Sequence, residues 1–76
     1  MSNNIREKAK RLAAQRYTTR IIVDDSEPEQ TLYVALHPEL EGCVAQGKTI
    51  EDARANLNEF RVDYLEHLLE HHLPIP

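Results

Sequence analysis

The residues with the most chemical potential lie near the end of the chain. His67, Glu70 and His71 match the pattern H-x-x-E-H, in which two histidines one helical turn apart can share a zinc ion and the glutamate can act as a base. Hydrolysis at such a centre also needs a third ligand, a positioned base and a cleft that excludes water. The nearest further ligands are Glu66 and His72, and 76 residues leave little room for a cleft. Histidines near a helix C-terminus also complement the helix dipole, and that simpler role is the expected one. Cys43 with His37 is the next pair, a thiol and a base. Cys43 stands on a predicted strand between apolar neighbours, where a free cysteine is ordinarily a buried space-filler. Asp24, Asp25, Glu39 and Glu41 have the composition of a Mg²⁺ site. They fall in predicted turns rather than on facing strands, which suits a solvated acidic rim open to a basic partner. No catalytic residue, metal site or cofactor is expected.

The elements that would position these groups belong to one small domain. A chain of 76 residues buries a modest fraction of its surface, and its single cysteine cannot form an internal disulfide. The fold must lean on packing or on self-association. A lone thiol fits a reducing compartment. No segment has the length of a membrane-spanning helix, and the N-terminus lacks a signal-peptide core. The expected location is the cytoplasm. The net charge is −4, a sign that disfavours autonomous nucleic-acid binding. The charge is uneven: Arg6, Lys8, Lys10, Arg11, Arg16 and Arg20 face only Glu7 in the first twenty residues, whereas 24–41 holds six acids and no Lys or Arg. The basic segment carries no helix-turn-helix, ribbon or zinc pattern, so any hold on phosphate would be weak and unspecific.

Residues 4–16 read as a basic amphipathic helix with Ile5, Ala9, Leu12 and Ala13 on a thin apolar stripe, capped by Asn3 or Asn4. So thin a stripe packs weakly or against a partner. Residues 17–24 and 31–37 read as strands of an antiparallel hairpin, separated by the polar turn 24–30 with Pro28. The second strand is apolar on both faces, which predicts a central strand covered on both sides. A short third strand, 43–46, lies between Gly42 and Gly47, positions where a positive φ or close backbone approach is expected. Thr49 to Asp52 resembles a capping box that opens a helix over 50–72. Ile50, Ala53, Leu57, Phe60, Tyr64 and Leu68 form the stripe expected to cover the sheet. Val62, Leu65 and Leu69 form a second stripe, expected to be an oligomer interface. Pro74 and Pro76 end the helix.

Residues 33–49, Tyr-Val-Ala-Leu-His-Pro-Glu-Leu-Glu-Gly-Cys-Val-Ala-Gln-Gly-Lys-Thr, resemble the signature of the HicB antitoxin family. That signature has an aromatic and an alanine on a strand, then Pro-Glu-Leu-x-Gly-Cys, a small residue, Gly and Thr. Glu51-Asp52-Ala53, Asn56-Leu57 and the Leu73-Pro74-Ile75-Pro76 exit extend the likeness over about residues 17–76. The resemblance implies a partial RNase H-like fold without catalytic residues, a domain over 17–76 preceded by the helix 1–16. It also implies a partner, a HicA-like toxin, a small basic mRNA-cleaving ribonuclease whose RNA-binding surface the antitoxin occludes. Many members continue beyond this point into a DNA-binding domain. This chain stops at Pro76, so direct DNA binding is not expected of it. Its basic first helix is also an addition, since the core of such domains often begins directly at the first strand.

The expected fold is therefore α+β: a three-stranded antiparallel sheet packed by a long C-terminal helix, with an N-terminal helix beside it, in the order α-β-β-β-α. The expected partner-binding residues are Asp24, Asp25, Glu27, Tyr33, His37, Glu39 and Glu41. A homo-oligomer, dimer or tetramer, is expected through Val62, Leu65 and Leu69. The alternative is a solitary oligomeric HicB-like interaction or regulatory module with no toxin partner.

Overall fold

The computed structural model describes the backbone of residues 2–15 and 17–76, with side chains from Asn4 onward. Five elements follow in order: α1 (Ser2–Ala13), β1 (Arg20–Glu27), β2 (Gln30–Leu36), β3 (Val44–Gly47) and α2 (Ile50–Glu70). The fold is the expected α-β-β-β-α. The strands form one antiparallel sheet in the order β1-β2-β3, with β2 at the centre. Helix α1 starts earlier than its polar residues suggest, so Asn4 lies inside it rather than capping it, and Arg16 lies outside the described residues.

β1 begins and ends three residues later than expected. The acids Asp24, Asp25 and Glu27 belong to the strand, not to the turn. An edge strand tolerates them because their side chains reach water, and a register shift between Asp24 and Glu27 marks where regular pairing gives way. Cys43 sits just before β3 rather than in it.

The register divides the sheet into two faces. Ile21, Val23, Tyr33, Ala35, Ala45 and Gly47 share one. Helix α2 lies across this inner face over β3 and β2. Ala35, Ala53 and Leu57 are buried there, and Leu57 alone contributes about 1.5–3 kcal/mol by leaving water. Gly47 is what lets helix and strand meet. A Cβ on it would lie 2.5 Å from the backbone nitrogen of Ala53. Thr49 then caps α2, its hydroxyl accepting the Asp52 N–H at 3.0 Å.

The core-facing stripe of α2 runs Ala53, Leu57, Arg61, Leu65, so two expectations for this helix fail. Ile50 and Phe60 are exposed at 43% and 39%, because the helix is rotated to bring Arg61 rather than Phe60 over the sheet end. Phe60 packs edge-on against Tyr64 instead. Leu65, expected at an oligomer interface, is fully buried within its own chain, and Val62 and Leu69 pack against the same core. The reason is α1. It runs along the C-terminal half of α2, burying Ala9 and Ala13. The guanidinium of Arg6 bridges Asp63 and Glu66, each at 2.7 Å. A thin alanine stripe permits close helix approach, so α1 docks on its own chain rather than waiting for a partner.

The helix exit is a Schellman turn. Leu73 N–H reaches the Leu68 carbonyl at 2.8 Å and His72 N–H reaches Leu69 at 3.3 Å, with His72 at φ 56° where glycine is usual.

Candidate functional site

The loop between β2 and β3 holds most of the residues that looked chemically promising, and it uses them to hold itself. Leu40, Cys43 and His37 are all buried, at 0, 1 and 2% exposure. Leu40 plugs the core beneath the loop, and Gly42 takes φ +81° to let the chain turn back. The backbone closes with Leu40 N–H on the His37 carbonyl and Cys43 N–H on that of Leu40. The Tyr64 hydroxyl donates to the Glu41 carbonyl at 2.6 Å.

His37 is the centre of this arrangement. Its Nδ1–H donates to the Thr18 carbonyl at 2.8 Å, and its Nε2 accepts from the guanidinium of Arg61 at 2.9 Å. Both ring nitrogens are thereby used, and the Tyr17 ring leans on the imidazole at 5.7 Å. His37, expected among the partner-binding residues, cannot serve as a partner contact because it is sealed inside the chain. Burial pushes the Cys43 thiol up from its ordinary pKa, with the Arg61 charge opposing. A thiol held in its neutral form is a packing group, not a nucleophile.

Glu39 accepts the Thr18 N–H at 2.8 Å. That bond holds its carboxyl below the usual glutamate range. It remains exposed, but its carboxylate already clamps the start of β1 to the loop. Asp24 is likewise lowered, by the Ser26 hydroxyl first and the Ser26 N–H second.

The acidic residues do not form one rim. Asp24, Asp25 and Glu27 sit toward the β1–β2 tip, while Glu39 and Glu41 lie beyond the other end of β2. Leu32, opposite Asp24, and Leu36, opposite Arg20, are four residues apart, so the groups are separated by about 13 Å or more along the strand. Tyr33 lies on the inner face near the start of α2, beside Lys48 and Ile50. At the far end of α2, His67 and His71 stack at 4.4 Å between ring centres, both exposed with Glu70. Among the described residues, no three His, Cys, Asp or Glu side chains converge as a metal site would require.

What the chain leaves open is the second face of the sheet. Arg20, Ile22, Asp24, Leu32, Val34, Leu36, Val44 and Gln46 share it by register. None of its aliphatic residues packs against the core. Ile22 and Val44 are each 46% exposed. β2 is thus apolar on both faces, as expected, but covered on only one. Alternation in the sequence marks these residues but cannot tell a two-sided core strand from one with a face left open. Five aliphatic side chains on one face, Ile22 and Val44 exposed and Leu32, Val34 and Leu36 half-buried, form a surface suited to protein association.

Among the described residues, no helix is long and apolar enough to cross a membrane. No family model matches the chain, and no solved structure matches it. Two curated proteins are similar to it. A UPF0150 protein of Thermoplasma acidophilum is 39% identical over 61 residues, which is 80% of this chain and 83% of that protein. A UPF0150 protein of Synechocystis is 43% identical over 44 residues, 58% of this chain and 56% of that protein, so the match spans about half of that relative's length.

Proposed function

The chain belongs to the UPF0150 family, and from that premise we propose that it is a non-catalytic, HicB-like antitoxin that binds and neutralises a small basic ribonuclease toxin of the HicA type. The observation that carries this reading is the bare aliphatic sheet face, Ile22, Leu32, Val34, Leu36 and Val44, flanked by carboxylates. The resemblance of residues 33–49 to the HicB signature supplies the class of partner. A ribonuclease that grips RNA presents cations, and an acidic binder is steered to such a surface and neutralises it. In this reading the aliphatic patch provides the buried centre of the interface. Asp24, Asp25, Glu27 and Glu41 provide its charged margin, while Glu39 and His37 hold the loop in shape.

The test is rescue of growth. A HicA-type toxin from the same genome is expressed with and without this chain, and mRNA cleavage is followed. Wild-type chain is expected to stop cleavage and form a stoichiometric complex with the toxin. Val44→Glu places a charge in the patch without touching the core, and is expected to abolish rescue while leaving the circular dichroism spectrum unchanged. Failure of the wild-type chain to bind or rescue would defeat the proposal.

A further inference from the structure

β1 is an open edge of eight residues, and its sequence is complementary to itself. On the opposite side of the sheet β3 is only four residues long, α2 lies over it, and the Gln46 carbonyl is taken by the Asn56 side-chain amide at 2.9 Å. β1 has no such cover. Among the described residues, no side chain bonds to the backbone of Arg20–Val23, and Ile22 and Val23 are 46% and 56% exposed. An edge of this kind is a template for another strand.

We propose that β1 pairs antiparallel with β1 of a second copy of this chain, centred on Ile22, to give a continuous six-stranded sheet. In that register Ile22 faces Ile22 of the partner subunit across the two-fold axis. Residue 20 then stands opposite residue 24, and residue 21 opposite residue 23. Arg20 of each copy meets an Asp24 carboxylate on the outer face, twice by symmetry. Ile21 meets Val23 on the inner face, also twice, covering the most exposed large apolar side chain in the sheet. No other centring of the strand pairs both cations with acids. The register shift after Asp24 closes the regular edge where the complementary stretch ends. Pairing over residues 20–24 forms about four to six cross-strand backbone bonds. The outer aliphatic face stays open, so the dimer presents two such faces side by side. This inference stands independently of the toxin reading.

The charge pattern supplies the test. In Arg20→Glu two acids face two acids, and in Asp24→Arg two cations face two cations. Each single variant, confirmed as folded by circular dichroism, is expected to dissociate at least about ten-fold more readily than wild type by analytical ultracentrifugation. An equimolar mixture of the two variants pairs unlike charges at both positions and is expected to regain the dimer. Ile22→Cys in a Cys43→Ser background provides a second measurement that leaves the charges in place. Mild oxidation is expected to cross-link it quantitatively, whereas Thr18→Cys in the same background, which does not face itself in this register, is expected to stay uncoupled. A monomeric wild-type chain, a dimer indifferent to both reversals, a mixture that fails to reassociate, or no cross-link from Ile22→Cys would each overturn the proposal.

Discussion

Ala35 and Leu36 are neighbours on β2 and meet opposite fates. Ala35 lies under α2 with no exposed surface, while Leu36 is half-buried and faces outward with Ile22, Val34 and Val44, none of which packs against the core among the described residues. Where α2 crosses it, the inner face and its continuation into the β2–β3 loop are closed by small residues, a close-packed helix and the hydrogen bonds of His37, while Val23 on the open edge stays exposed. The outer face is made of larger aliphatics and is left wet. This apolar outer face makes sense as a surface kept for another molecule.

That contrast predicts where substitutions are felt. The largest effect belongs to the sealed side. Leu57→Ala or Leu65→Ala is expected to cost about 2–5 kcal/mol in urea denaturation, whereas Val44→Thr on the open side should change stability by less than about 0.5 kcal/mol. A comparable loss from Val44→Thr would mean that the outer face is covered in the isolated chain, and the contrast would collapse. His37→Ala should follow at about 2–3 kcal/mol. It strips the guanidinium of Arg61 of a side-chain acceptor, and among the described residues the buried Arg61 Nε finds no other partner. Gly47→Ala should cost about 1–3 kcal/mol by forcing β3 and α2 apart.

The smallest effect sharpens the comparison at its margin. Glu39 is depressed in the folded chain because its carboxylate accepts the Thr18 N–H. Its contribution is therefore fully present above the unfolded glutamate value, about 4.3, and is lost as pH falls through the lower folded value. Glu39→Gln should flatten this acid limb by lowering stability near neutral pH slightly toward its acid value, while stability at the acid end stays unchanged. An unaltered acid limb would mean that the Thr18–Glu39 bond does not form in solution.

Element order and the α+β class were legible because they rest on periodicity: alternation in β2, a 3.6-residue stripe in α2, and glycines at the two positions that need them. The cap at Thr49 followed from its side chain and spacing alone. Burial was less legible wherever polarity and position disagree. Phe60 and Arg61 are adjacent, and hydrophobicity places the ring inside and the cation outside; the loop reverses this by offering Arg61 a histidine acceptor. Asp24 and Glu27 read as turn residues because strand propensity is averaged over strands with two neighbours, and β1 has one. The second stripe of α2 looked like an intermolecular surface because the partner that covers it, α1, has only Ile5, Leu12 and alanines to advertise the match. Of the proposed partner residues, the structure keeps the acids at the surface and withdraws His37.

The packing of α1 against α2 also bears on how the chain assembles. β1, β2, β3 and α2 each meet a sequence neighbour or near-neighbour, contacts that close small loops and form early. The α1–α2 contact instead joins Ser2–Ala13 to the C-terminal half of a helix that starts at Ile50, and the loop it closes spans the whole sheet. During synthesis α1 is made first and its docking surface last. Its alanine face must wait in water until the ribosome has delivered Leu65, so α1 should be the last element to gain protection in a pulse-labelled amide-exchange experiment and the first to lose it.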